Sequence, residues 1–494
     1  MTDDLERLAN GVLWPGFFGT DVPAWLRAEL RDGLAGVVYF AQNVGDDVAA
    51  LSTEILAANP DALIGVDEEG GSVTRLESAS GSTLPGAAQL GRLDDVTATE
   101  RTGAELARRA RAAGVNVVLG PVADVNTDPR NPVIGVRAFG SEEPLVTRHV
   151  IAQVDGMQDG AIAACIKHFP GHGDTHLDSH HALPEIALDI DEYERVHLAP
   201  FRAAVEAGVD SIMTAHIVVP AWGEQPATLN PRVLGMLRDW GFEGVIITDA
   251  LDMAAIRETV GIGGGAAQAL AAGADLLCIG NPTNPGDAAL PDQDERDFRA
   301  ARDGIVAALR DGSLSRSRVE EAAQRVSALA QKLRSSAATV SDDLAPFDTA
   351  DVVRRAISVV GAAPATASAL SVVDARRRST LAVDSASAYV AATLAGDGRR
   401  VRLDVASATV EEQDHVIHDA VAAHATTVLL IDRPDADAAQ RALVERAALR
   451  DPAAVVVNVG LPARTPLPLP TLEVAAASRL GAEAARALLM GSAG

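Results

Sequence analysis

Short, almost uninterrupted apolar runs punctuate the first two-thirds of the chain: GVVYF, ALIGVD, VNVVLGPVADV, AIAACIKH, SIMTAHI, GVIITD and ADLLCIG. A strand of a parallel sheet is buried on both faces, so it is apolar throughout instead of alternating. Between the runs lie longer segments with apolar residues at helical spacing. ATERTGAELARRARAAG and EYERVHLAPFRAAVEAG are two of them, each ending at a glycine that can close a helix. Strand and helix in alternation predict a parallel sheet with helical crossovers. About eight such units over roughly 335 residues predict closure into a (β/α)8 TIM-like barrel. An open doubly wound sheet is the alternative, but no glycine-rich phosphate fingerprint follows the first run.

The repeating region ends with SRVEEAAQRVSALAQKLR. Ser317 and Glu320 have the spacing of a capping box. Val319, Ala322, Val326, Leu329 and Leu333 mark one helix face. SSAATVSDDLAPFD, small and polar, reads as a linker. A second, smaller α/β pattern follows from Thr349, with strands expected at TLAVDS, TTVLLID and AAVVVNVG and a last helix at SRLGAEAARALLMG. The expected domains are residues 1–335, a linker at 336–348, and residues 349–494.

Charge narrows the function classes. The chain has 68 acidic against 42 basic residues, a formal net charge of −26. Nucleic acids and anionic membrane surfaces require basic patches, so neither is an expected partner. The N-terminus lacks a basic region followed by an apolar run, and no apolar stretch reaches the roughly 18 residues that span a bilayer. A cytoplasmic location is the default expectation. Cys165 and Cys278 sit in apolar runs and read as buried thiols. Lysine occurs only at 167 and 332.

Several apolar runs close on ionisable residues. ALIGVD ends at Asp67, VVLGPVADV carries Asp124, AIAACIKH ends at Lys167 and His168, SIMTAH at His216, and GVIITD at Asp249. An ionisable group is costly to bury without purpose. In a (β/α)8 barrel the reactive groups gather at the C-terminal strand ends, so five such endings in one register predict a shared polar pocket.

Residues 167–181, KHFPGHGDTHLDSHH, hold five of the chain's eleven histidines. His172, His176 and His180 are four apart, as metal ligands on a helix would be. Pro170, Gly171 and Gly173 oppose a helix there, and no metal is expected. Asp178 and His180 are two apart, so they project to one side of an extended segment. A carboxylate beside an imidazole orients it and favours its protonated form. Such a pair is a general acid/base poised near neutral pH, and Asp249 is the candidate nucleophile.

KHFPGHGDTHLDSHHALP resembles the acid/base loop of the β-N-acetylglucosaminidases (β-N-acetylhexosaminidases) of glycoside hydrolase family 3. GFFGTDVPAWLRAELRDGLAGVVYF, GVDEEGGSVTRL, PVADVNTDPRNPVIGVRAFG and ITDALDM resemble further segments of that family in the same order. The C-terminal part resembles the α/β sandwich of its two-domain members. The resemblance implies a retaining mechanism without cofactor. Asp249 would form a covalent glycosyl-enzyme. His180 would protonate the leaving oxygen, oriented by Asp178. Asp67, Arg75, Arg137, Lys167 and His168 would bind sugar hydroxyls, Asp124 would order a loop, and Trp222 would stack on sugar or pack. The implied partner is a small glycan, from cell-wall fragments or chitooligosaccharides. Phosphate is the alternative acceptor, since a neutral histidine does not repel an anion. A β-glucosidase of the same family is a further alternative, which the DSH loop disfavours. Valine precedes Arg137, where some single-domain relatives have aspartate. The preference for an acetamido sugar is implied by the resemblance alone.

Overall fold

The structure is a computed structural model that describes residues 4–176, 183–340, 345–377, 388–423 and 425–491. Its residues group into two compact units. The first comprises 1–68, 99–127 and 141–346, and the second 69–98, 128–140 and 347–494. The segments 69–98 and 128–140 thus group with the C-terminal part of the chain. In that second unit Ser72 Oγ accepts from Ala477 N at 2.9 Å, and Gln89 Nε2 donates to Val474 O at 2.9 Å. Contacts between residues so far apart leave no trace in local pattern.

Among its described residues the first unit holds eight parallel strands: β1 (Leu13–Pro15), β2 (Gly36–Tyr39), β3 (Leu63–Val66), β4 (Val117–Val118), β5 (Ala163–Phe169), β6 (Ser211–Thr214), β7 (Val245–Ile247) and β8 (Leu277–Gly280). β2 to β7 form one sheet in chain order, β1 pairs with β8, and a bridge from Ile247 to Leu276 links β7 to the segment entering β8. All seven expected runs contain strands. β1, in GVLWPG, escaped notice because it is only three residues long.

Every one of these strands sends a side chain into the same cluster: Trp14, Val38, Leu63, Val117, Cys165, Met213, Ile247 and Cys278 among them. Val326, Leu329, Ala330 and Leu333, from the helix Arg316–Ala337, pack into that cluster too. Each buried aliphatic side chain of this kind stabilises the fold by about 1.5–3 kcal/mol. The expected apolar face of that helix is therefore correct, but its cap is not Ser317. The N-cap is Ser315, whose hydroxyl accepts from Arg318 N. The helix starts at Arg316, which places Ser317 inside its first turn. EYERVHLAPFRAAVEAG also divides, into Ile190–Val196 and Ala199–Glu206, with Pro200 opening the second helix.

The second unit carries a sheet of β9 (Ser358–Val360), β10 (Leu370–Asp374), β11 (Arg399–Arg402), β12 (Thr426–Ile431), β13 (Val455–Asn458) and β14 (Thr471–Glu473), in the order β11-β10-β12-β13-β14-β9. All neighbours are parallel except the edge pair β14–β9. Successive residues divide between the two faces, as the pleat requires. Val372, Val428, Leu430 and Val457 pack with Leu394 and Leu489, while Val373, Leu429, Ile431 and Val456 pack with Ile417, Leu443 and Val444. The last helix runs Arg479–Met490. The strand expected at TLAVDS lies outside the described residues.

Candidate active site

In the first unit the expected strand-end residues form buried pairs. Lys167, near the end of β5, donates from Nζ to Asp67 Oδ1 at 2.7 Å, and its side chain is only 2% exposed. An ammonium so deeply buried requires a matched acceptor. Asp67 supplies it from the residue following β3.

Asp124, fully buried, collects three donors from the end of β5 and the loop after it. Oδ2 meets His168 Nδ1 at 2.8 Å, and Oδ1 accepts from His168 N at 3.2 Å and His172 N at 2.7 Å. Burial pushes the Asp124 carboxyl up, but the His168 and His172 neighbours outweigh it and hold it below the usual range. The carboxylate thus acts as a staple between the segment after β4 and the KHFPGHG turn. The Lys167–His168 and Phe169–Pro170 peptide bonds in that turn are cis. His172 is also buried, its ring 6.0 Å from that of His168, and burial lowers its pKa to about 4. His176 is exposed in a bend, so the histidines at 172 and 176 share no helix face.

Asp249 lies two residues beyond β7 and is half-buried. Its N–H donates to Thr214 Oγ1 at 3.3 Å, and its Oδ1 accepts from Ala250 N at 2.8 Å. His216 Nε2 lies 2.9 Å from Ala250 O and Nδ1 lies 2.9 Å from Thr228 Oγ1. Thr214 and His216, both from the end of β6, therefore fix the backbone that carries Asp249. Cys165, pushed up to about 12 mainly by burial, feels Lys167, Asp67 and Asp249 together. Cys278 feels Asp249, Asp252 and Asp67. Both cysteines are free and buried.

Asp252 was not singled out from the sequence. It is buried, accepts from Asn284 Nδ2 at 2.6 Å, and burial pushes its pKa up to about 7. A Cβ on Gly280 would stand 1.9 Å from its Oδ1, so that glycine is required by close approach. The signal was present in ITDALDM as a second carboxylate three residues after Asp249, but a helix-like spacing outside a helix carries little meaning. Trp222 is 5% exposed and edge-on to Tyr193, with ring centroids 5.0 Å apart, which is packing.

Arg137 and Arg75 lie in the second unit, both buried. Arg137 grips Glu69 in a two-pronged pair, Nε to Oε2 at 3.0 Å and Nη2 to Oε1 at 2.8 Å, and donates from Nη1 to Val133 O at 3.0 Å. Glu69 was not singled out from the sequence. Asp178 and His180 lie outside the described residues.

Residues 25–329 match the model of the glycosyl hydrolase family 3 N-terminal domain. A β-hexosaminidase of Stenotrophomonas maltophilia is 36% identical over 283 residues, covering 54% of this chain and 82% of that protein. β-Hexosaminidase A of Pseudoalteromonas piscicida is 34% identical over 255 residues, 46% of this chain, and the match spans only 42% of that longer relative. Among solved structures, a glycoside hydrolase family 3 β-N-acetylglucosaminidase from Paenibacillus sp. str. FPU-7 superposes with a TM-score of 0.84 at 30% identity, covering 100% of this chain and 98% of that one.

Proposed function

The chain belongs to glycosyl hydrolase family 3, and from that premise we propose that it is a retaining, exo-acting β-N-acetylglucosaminidase that removes terminal N-acetylglucosamine from small glycans. In this reading the eight parallel strands close as a (β/α)8 barrel, with a smaller α/β sandwich domain after the linker at 336–348. The observation that supports the reading is the placing of Asp67, Lys167 and Asp249 at the carboxyl ends of β3, β5 and β7 of one sheet, with Lys167 and Asp67 paired at 2.7 Å.

Asp249 attacks the anomeric carbon and forms the covalent glycosyl-enzyme, as the second carboxylate of a retaining glycosidase does. Its backbone is held by Thr214 and, through Ala250, by His216, which limits the freedom of the nucleophile before attack. His180 gives a proton to the leaving oxygen and later takes one from water, with Asp178 holding its ring. Lys167 and Asp67 bind adjacent sugar hydroxyls. His168, fixed by Asp124, presents its second ring nitrogen to the sugar, and Arg75 and Arg137 donate to further hydroxyls.

The test is release of aryl alcohol from an aryl β-N-acetylglucosaminide, with the aryl β-glucoside as control, with and without phosphate. Release from the acetamido sugar alone, unaffected by phosphate, is the expected outcome. Phosphate stimulation with formation of a sugar 1-phosphate would replace hydrolysis by phosphorolysis. Release from neither sugar would overturn the assignment.

A further inference from the structure

At the carboxyl ends of the second unit's strands the chain builds a crevice, with Arg137 on its wall, to which the proposed reaction assigns none of the residues of the strand-end loops. The neighbouring strands β10 and β12 continue in opposite directions, β10 through the helix Ala388–Ala395 to β11 and β12 through the helix Ala438–Arg450 to β13. The two helices pack in different clusters, one on each face of the sheet. Where connections diverge in this way, the loops after the two strands part. That is the place where open α/β sheets receive ligands.

Here the loop after β10 contributes Arg376 and Arg377, and the loop after β12 contributes Asp432 and Arg433, to a cavity of about 120 Å³. A second cavity of about 460 Å³ shares Arg377, Arg433 and Ala436 with it and reaches Asp404, beyond β11. Charge is matched at most of these positions. Arg376 is buried and held by both oxygens of Asp374 at 2.8 Å, and Arg377 is tied to Asp437. The nearby acids are engaged as well. Asp432 Oδ1 accepts from Gln440 Nε2 at 2.7 Å and Arg377 N at 3.2 Å, and Asp435 pairs with Arg441 at 2.8 Å.

Arg433 is the exception. It is half-buried, lines both cavities, and makes no ion pair among the described residues. A guanidinium presents a planar fork of donors that fits a phosphate or carboxylate. Val133, Ile134, Val459 and Leu461 add an apolar lining to the first cavity. That combination, carbon surface with a cationic fork that makes no ion pair among the described residues, is the usual make-up of a small-molecule pocket.

We propose that this crevice is a binding site for a small oxyanion-bearing molecule, with Arg433 gripping the oxyanion. Arg433 itself has no part in the activity proposed above. The test is calorimetric titration of the full chain with glucose 6-phosphate, gluconate and inorganic phosphate, repeated on Arg433→Ala and on Ala436→Glu. The second variant keeps the arginine but places a repelling carboxylate on the shared lining. Saturable binding of at least one probe is expected, weakened tenfold or more in each variant, while thermal melting without probe and aryl glycoside cleavage stay at the unmodified level. A sugar phosphate that binds more tightly than phosphate identifies an organic ligand; equal affinities identify the free ion. Binding of none of the three probes overturns the site. So does binding that survives both substitutions, because such binding, including phosphate held as an acceptor for the glycosyl group, lies elsewhere.

Discussion

Both parallel sheets of this protein end in ionisable residues, yet they use them differently. In the first unit the pairs join distant parts of the chain. Lys167 reaches Asp67, 100 positions away, and Asp124 gathers His168 and the backbone of His172, 44 and 48 positions away. At the strand ends of the second unit's sheet the most deeply buried pair among the described residues is local, Arg376 returning to Asp374 two positions before it. A local pair forms as soon as its loop turns and leaves the arginine fixed on its own strand. A pair between strands exists only when both strands are in register, and it sets opposite charges side by side above a shared space. Burial of charge alone therefore does not mark a reactive site; which strands share the charge does.

The largest expected effect is on Asp249. Asp249→Ala should lower kcat for the aryl N-acetylglucosaminide by about 10³-fold or more, with a melting temperature close to the parent's. Retained activity would reduce the first unit's strand ends to the structural role of the second's. Next comes His180→Ala. On substrates with poor leaving groups it should cost about 10²–10⁴-fold, and much less where the leaving group needs no proton. Equal loss on both substrates would remove His180 from proton transfer.

A paired experiment sharpens the contrast between the units. Lys167→Ala and Arg376→Ala each break a buried pair, and each should destabilise the protein by about 3 kcal/mol in denaturant titrations. Only Lys167→Ala should also raise KM. A rise in both would show that the local pair serves substrate too.

The smallest effect is a pH dependence. His172 has a folded pKa lowered to about 4, chiefly by burial. The unfolded chain therefore takes up its proton first. Stability should fall as pH drops from about 6.5 to about 4 and level off below, a contribution of at most about 3 kcal/mol. His172→Gln should flatten that slope in urea unfolding curves recorded across the window.

Much of this was legible in the chain. Continuous apolar runs mark strands buried on both faces, which is why all seven expected strands of the first unit, the helix face from Val319 to Leu333 and the last helix were readable. An apolar run can end on a charge only where something meets that charge, so Asp67, Lys167, His168 and Asp249 also stood out. Only β1 of the first unit was hidden, three residues in GVLWPG that carry no period.

What the sequence determined by itself is the alternation of strands and helices and the set of chemically capable residues at strand ends, because both follow from local burial. What only the tertiary structure decided is partnership. It chose Asp67 for Lys167, Glu69 for Arg137, and Asp124 as the staple of the histidine turn. It also grouped 69–98 and 128–140 with the C-terminal part of the chain and left Arg433 without an ion pair among the described residues. Those outcomes depend on distances between residues far apart in the chain, and such distances are fixed only once the strands have taken their places.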